Sequence, residues 1–332
     1  MEADFVRRSG EILLDGDRPF HIHGANCYYF AWSTVDDQNR ILDLVQKRGY
    51  NTLRIWAFQD NDTYAIAFQD WPADDSNPVL REGDQGLKCL DRAVQLAGQR
   101  GVRLILTLAN HLPDFGGVAR YVSWLRLNGE REFYEHPRAR ALFASWFGAI
   151  TTRRNTLTGI PYASDPTILA WEIINEPRCP WDPTCTKLAI WVAEMAATLR
   201  RHAPDQLIYC GDEGFFRRSR TTSWLYNGSM GVDTEALLAI PEVDLASAHL
   251  YPEKWAPLED PVEFGRNWIR QHGESAARAR KPFVLGEFGL ADRSLRYLAY
   301  DAWLEEARLH SAGALVWMIG LPGAGDEFLI DF

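Results

Sequence analysis

Eight short apolar runs recur along this chain, at positions 21–28, 52–58, 102–110, 168–176, 207–214, 243–251, 282–288 and 314–320. Each has the length and closing turn signals of a strand. Between them lie stretches with apolar residues at helical spacing, at 38–48, 87–100, 138–153, 187–202, 262–280 and 294–310. This alternation predicts parallel strands joined by right-handed helical crossovers. A doubly wound open sheet produces the same pattern, but a nucleotide-binding one places a glycine-rich turn after its first strand. His23-Gly24-Ala25-Asn26 is no such turn. The expected architecture is therefore α/β, one (β/α)8 barrel domain over 1–332, since no linker, charge block or repeat divides the chain. Positions 5–20 read as a small hairpin turning at Asp15-Gly16-Asp17 and covering the barrel floor. Positions 71–86, rich in Asp, Pro and Gly, read as a long loop. After Trp317 only 15 residues remain, and Leu321-Pro322-Gly323-Ala324-Gly325 is a poor helix start, so the last barrel helix is expected to be short or absent.

Composition narrows the partners. With 332 residues, 46% of them hydrophobic, the chain can bury a large core. A formal net charge of -10 argues against nucleic acid or an anionic membrane surface, both of which select basic patches; a neutral polymer stays open. The 13 Trp, 12 Tyr and 16 Phe exceed ordinary core needs, and flat rings suit the apolar faces of sugars. No run is long enough to cross a membrane. Met1-Glu2-Ala3-Asp4-Phe5 lacks the basic and apolar regions of a signal peptide, so the chain is expected to be intracellular or to have lost a signal. Of five cysteines only Cys179 and Cys185 are close enough for a local bridge, and two buried thiols are an equal alternative.

Chemistry gathers where the strands end. Two apolar runs close on a carboxylate, Glu176 before Pro177 and Glu287 before Phe288-Gly289, at the C-terminal strand ends where a barrel holds its active site. Paired carboxylates can run glycoside hydrolysis, one protonating the leaving oxygen while the other attacks the sugar or activates water. Other polar and aromatic groups share these ends: Arg54, Trp56, Asn110, His111, Asn175, Glu213, His249, Tyr251 and Trp317. An arginine inside Thr52-Leu53-Arg54-Ile55-Trp56 needs a carboxylate partner to be buried, and Glu287 is the expected one. That pairing would lower the Glu287 pKa and keep it ionised, whereas an acid needs a raised pKa. His249 and Tyr251, two apart, face the same side, and Tyr251 can reach Glu287.

The segments Trp171-Glu172-Ile173-Ile174-Asn175-Glu176-Pro177-Arg178-Cys179, His249-Leu250-Tyr251-Pro252 and Gly286-Glu287-Phe288-Gly289 together resemble glycoside hydrolase family 5, within it the fungal and plant type of endo-β-1,4-mannanase. Gly24-Ala25-Asn26-Cys27-Tyr28-Tyr29, Asp114-Phe115-Gly116-Gly117 and Gly211-Asp212-Glu213-Gly214-Phe215-Phe216 extend the likeness nearly end to end. The resemblance implies a TIM barrel and a retaining double displacement, with Glu176 as general acid/base and Glu287 as nucleophile. It further implies that Asn175 holds the sugar 2-hydroxyl, that Arg54, His249 and Tyr251 orient the glutamates, and that Trp317 lines the subsite before the cleaved bond. The implied substrates are β-mannan polysaccharides or manno-oligosaccharides, with no metal or organic cofactor. A secreted monomer fits that substrate class. One departure stands out: Asn110-His111-Leu112-Pro113 replaces a segment that ordinarily carries a tryptophan, so an aromatic wall of the cleft is expected to be missing.

Three alternatives compete. The same chemistry could serve a β-glucan, an exo-mannosidase mode or transglycosylation, as Leu112 and the short tail suggest. A non-catalytic carbohydrate-binding barrel would suit the aromatic content but should have lost a catalytic glutamate. A metal-dependent barrel hydrolase would draw on His21, His23, His111 and His249.

Overall fold

The computed structural model describes residues 4–60, 64–72, 77–255 and 260–330. Positions 1–3 of the N-terminal stretch, 73–76 of the expected long loop and 331–332 of the tail lie outside the described residues. Three strands come first, β1 (Val6–Ser9), β2 (Ile12–Asp15) and β3 (Arg18–Phe20), paired antiparallel in that order. The expected hairpin is thus β2 with β3, and β1 adds a third strand. This sheet sits under the barrel: Arg103, opening a barrel strand, donates to Asp15 at 2.9 Å, and Arg8 lies 3.6 Å from Asp244.

The barrel begins with β4 (Ile22–Asn26) and β5 (Thr52–Trp56). A two-residue ribbon, β6 (Gln69–Asp70) and β7 (Val79–Leu80), interrupts the expected loop. Then follow β8 (Arg103–Thr107), β9 (Ile168–Asn175), β10 (Leu207–Gly211), β11 (Ala246–Leu250), β12 (Phe283–Phe288) and β13 (Gly313–Val316). The sheet order is β10-β9-β8-β5-β4-β13-β12-β11, with every neighbouring pair parallel. Backbone bonds from Asp244 to Ile208 (2.7 Å) and from His249 to Glu213 (3.2 Å) draw β10 and β11 together across the remaining gap. Every residue of β5 and of β8 to β13 is buried, which is why these strands appear in the sequence as continuous apolar runs rather than alternating ones.

The helices are α1 (Val35–Lys47), α2 (Lys88–Gln99), α3 (Val118–Trp124), α4 (Glu130–Glu135), α5 (Pro137–Thr152), α6 (Thr186–His202), α7 (Thr234–Leu238), α8 (Pro252–Trp255), α9 (Pro261–Ala279) and α10 (Arg293–His310). The six long ones match the amphipathic stretches, and α1, α5, α9 and α10 begin at side-chain caps. Thr34 accepts the Asp37 N–H at the start of α1, and Asp260 accepts that of Glu263 ahead of α9, where Pro261 takes the first turn. The short helices α3, α4, α7 and α8 were not legible, because four to seven residues are too few to show a period. They thicken the loops after β8, β10 and β11, on the face where the strands end.

Among the described residues no helix follows β13. The chain instead crosses the barrel mouth, anchored where Ile319 N–H meets Asn26 O (3.1 Å) and Ile330 N–H meets Met318 O (3.1 Å). Arg296 of α10 holds it from outside through the carbonyls of Leu329 and Glu327. All five cysteines are buried free thiols, so Cys179 and Cys185 are not bridged. Among the described residues no helix is long and apolar enough to cross a membrane.

One close approach inside the barrel shapes everything above it. A Cβ on Gly211 would lie 1.9 Å from Glu172 Oε1, so only glycine leaves room for that buried carboxylate. Gly211→Ala is expected to displace Glu172 from its ion pair and to cost roughly 3 kcal/mol or more of folding free energy, the order found when a buried pair is broken. Gly49→Ala, where nothing lies within 4 Å, carries only the backbone penalty of its positive φ, about 1 kcal/mol. Equal denaturant midpoints for the two variants would refute this.

Candidate active site

Arg54 stands at the centre. Its side chain, 1% exposed on β5, spends every guanidinium donor on an acceptor from another strand end. Nε and Nη2 grip Glu172 of β9 at 2.5 and 2.6 Å. Nη2 also reaches Asn175 Oδ1 at 2.7 Å, while Nη1 binds Glu287 Oε1 at 2.6 Å and Asn26 Oδ1 at 2.8 Å. Glu287 is therefore a partner, as expected, but the bidentate partner is Glu172, which sequence reasoning gave no role. Its signal was a second charge inside an apolar strand, complementary to Arg54. Tyr209 and Thr107 also donate to Glu172. Burial works to raise the Glu172 carboxyl, but the Arg54 charge and these bonds outweigh it and hold it below the ordinary glutamate range.

Glu176 is the first residue beyond β9. Its backbone takes φ 48°, a left-handed conformation that costs about 1 kcal/mol or more for a non-glycine residue and turns the side chain inward over the barrel. Its N–H is held by Gly211 O at 2.8 Å. Glu287 owes its aim to a bulge: β11 pairs Ala248 with Leu285 but His249 with Glu287, leaving Gly286 as the extra residue. Tyr251 donates its hydroxyl to Glu287 Oε2 at 2.6 Å, and His249 Nδ1 lies 2.6 Å from Glu176 Oε1 and 3.6 Å from Glu287 Oε2. Carboxylate oxygens of Glu176 and Glu287 and a His249 nitrogen all fall within 4.8 Å of one another.

Burial pushes both glutamates above the ordinary range. This corrects the expectation that Arg54 would carry the Glu287 pKa below it: the His249 and Arg54 charges and the Tyr251 hydroxyl pull downward, but desolvation prevails. The two carboxyls still differ in kind. Glu287 is met by Arg54, which can only donate, and by the Tyr251 hydroxyl, whereas Glu176 is met by His249, whose ring nitrogen can donate or accept.

Around these groups opens a cleft of about 550 Å³. Trp56, Asn110, Asn175, Glu213, Tyr251 and Trp317 line it as the strand ends suggested. Trp317 donates its indole N–H to Asp326 at 3.0 Å and stacks on Tyr28 at 5.9 Å, so it stands as a fixed wall. Asn110 Oδ1 accepts from Asn175 Nδ2 at 3.0 Å, which orients the Asn175 amide. Glu213 is pushed up to about 7 by burial and by the charge of Glu176, while Arg178 grips it through two bonds of 2.7 Å. Arg178 also lines the cleft and was missed as a site residue. His111 is a correction. Its ring turns away to Tyr134 at 2.8 Å, outside the cleft lining, and burial pushes its pKa down to about 4. Leu112 faces the cleft in its place, so that stretch of wall is aliphatic.

The four histidines considered for a metal do not converge. His21 and His23 flank the start of β4 at the far end of the barrel, and His111 packs on Tyr134. The one compact ligand group among the described residues is Glu176, His249 and Glu287, whose near atoms are already engaged by each other, by Arg54 and by Tyr251.

A family model described as GH family 5 beta-mannosidase-like matches residues 3–303. A mannan endo-1,4-beta-mannosidase 7 from Oryza sativa subsp. japonica is 36% identical over 349 residues, covering 96% of this chain and 89% of the relative. The crystal structure of an endo-1,4-beta-mannanase from Rhizomucor miehei superposes with a TM-score of 0.93 at 31% identity, covering 98% of this chain and 94% of that one. An endo-beta-1,4-mannanase from Thermotoga petrophila superposes at 0.88 with 30% identity, over 94% and 73% of the two chains.

Removing the Tyr251 hydroxyl takes one donor from an already destabilised carboxylate. Tyr251→Phe is expected to raise the Glu287 pKa by roughly one unit, the scale of one lost hydrogen bond to an ionised group. A carboxyl-carbon NMR titration would show it, and an unmoved Glu287 resonance would exclude the hydroxyl as a stabiliser.

Proposed function

The chain belongs to the GH family 5 beta-mannosidase-like family, and from that membership we propose that it is a retaining endo-β-1,4-mannanase acting on mannan, glucomannan or galactomannan. The observation that carries the mechanism is the approach of the two carboxylates to within 4.8 Å. Inverting enzymes hold theirs roughly 6.5–9.5 Å apart to admit a water, whereas retaining enzymes need about 5 Å.

Glu287, whose ionised form Arg54 and Tyr251 favour against its burial, attacks the anomeric carbon. Glu176, whose neutral form burial favours and whose neighbour His249 can accept from it, gives its proton to the departing glycosidic oxygen, and a glycosyl ester forms on Glu287. Consuming the Glu287 charge removes a like charge from beside Glu176 and lowers its proton affinity. Glu176 then takes a proton from water as that water attacks the same carbon and frees Glu287. Two inversions give net retention. Asn175, with its oxygen on Arg54 and one amide hydrogen on Asn110, has an amide hydrogen left for the sugar 2-hydroxyl. The Trp317 ring supplies an apolar face beneath the sugar before the cleaved bond. The same reading makes the enzyme a secreted monomer, and a polymeric substrate supports the secretion.

Mannohexaose should yield mannobiose and mannotriose, released in the β configuration by proton NMR. Mannose released one unit at a time would overturn endo action. Glu287→Ala and Glu176→Ala should each lose at least 10³-fold in kcat on this substrate, within reach of what a positioned acid and nucleophile supply. With an activated aryl mannoside and azide, Glu176→Ala should form the β-azide and Glu287→Ala the α-azide. The opposite pairing would exchange the two roles.

A further inference from the structure

Two buried polar atoms next to the site have no partner among the described residues: His249 Nε2 and Ser247 Oγ. They sit two residues apart on β11 and so face the same side. Both border one point. A Cβ on Gly286, the bulge residue, would lie 3.1 Å from Ser247 Oγ and 3.4 Å from His249 Nε2. Glycine keeps these two polar atoms uncrowded at the bulge, since a Cβ there would press on both. Buried polar atoms are almost always satisfied, and a water held by two or more partners is the usual means.

We propose that Ser247 is a positioning residue for Glu176: with one ordered water beside Gly286 it accepts the Nε2 hydrogen of His249 and thereby selects the tautomer whose bare Nδ1 accepts the proton of Glu176. The contact at 2.6 Å between Nδ1 and Glu176 Oε1 holds a single hydrogen. With Nε2–H satisfied, that hydrogen belongs to the glutamic acid, the form that a general acid requires. With Nε2–H unsatisfied, burying the orphan donor is the costlier choice, so the ring hydrogen moves to Nδ1 and donates to a carboxylate instead. Ser247 therefore acts on the proton inventory of the acid without touching the sugar. Burial lowers the His249 pKa and so favours the neutral ring, in which the tautomer is the variable.

The other groups facing this pair are fixed in role. Arg54 comes from β5, Glu172 from β9, Tyr209 from β10, Glu213 from beyond it, Tyr251 from the end of β11, Glu287 from β12, and Arg178 from the loop after β9. Each of these already has a partner within hydrogen-bond reach, which leaves Ser247 Oγ and His249 Nε2 as the pair without one. On the backbone side, Trp268 of α9 donates to His249 O at 2.8 Å and pins the strand without reaching the ring nitrogens.

The inference rests on Glu176 being the acid, and two readouts separate the questions. Nitrogen-15 NMR of histidine-labelled enzyme, with the His249 signal assigned by its loss in His249→Gln, should show the Nε2–H form in wild type and Ser247→Thr. In Ser247→Ala it should show the Nδ1–H form. The alkaline limb of kcat/KM on mannohexaose should fall in pH by roughly half a unit or more in Ser247→Ala, and return in Ser247→Thr. A merely structural serine would lower the melting temperature and leave both readouts in place. A wild-type Nδ1–H tautomer overturns the proposal outright. A tautomer change with an unmoved alkaline limb overturns the link to catalysis and, with it, the assignment of that limb to Glu176.

Discussion

One buried guanidinium governs the interior of this barrel. Arg54 cannot lose its charge, and in an apolar strand that charge must be met on every side. The molecule meets it from β4, β9 and β12 together, with two carboxylates and two amide oxygens. Because the acceptors lie on strands from around the barrel, satisfying one side chain also sets the heights at which those strands end. The same bonds place Glu287 and turn the Asn175 amide, so the electrostatic demand of the core and the geometry of the site are one arrangement. Gly211 belongs to it, since the room it leaves is occupied by Glu172.

Against that background the two working glutamates are set apart by their neighbours rather than by their burial. Both are deeply enclosed, and enclosure by itself favours the neutral acid in each. Glu287 meets the Arg54 guanidinium, which has no accepting capacity, and the Tyr251 hydroxyl, while Glu176 meets an imidazole able to play either part. The two carboxylates thus bring oxygens within 4.8 Å of each other while each keeps its own set of hydrogen-bond partners. Local irregularity aims both side chains, through the left-handed backbone of Glu176 and the bulge before Glu287.

The cleft walls come from less regular chain. Short helices after β8, β10 and β11 carry Trp255 and bracket Leu112 and Trp224, and the segment after β13 crosses the mouth to fix Trp317 through Asp326. Where a barrel would add a last helix, the described chain uses Ile319, Ile330 and the grip of Arg296 instead. Substrate preference is therefore written mainly in segments that hydrophobic periodicity does not describe.

Much was legible without coordinates. Parallel barrel strands are buried on both faces, so they stand out as unbroken apolar runs; the outer helices are wet on one side, so they show a helical period; and the polar residues that end those runs mark the face where chemistry gathers. Glu176, Glu287, Asn175, Tyr251 and Trp317 could be chosen on that basis. What linear order could not supply was distance across the barrel. Stagger and tilt decide which strand ends face one another, and they made Glu172 the principal partner of Arg54 and brought the two glutamates within reach of one sugar carbon. One backbone turn swung His111 to Tyr134 while leaving its neighbours Asn110 and Leu112 in the cleft. The sequence by itself determined which residues would be buried and which would sit at strand ends, because both follow from local periodicity. Which groups meet each carboxylate was decided only by the tertiary structure, because the charges and donors that shift a pKa come from other strands brought within a few ångströms.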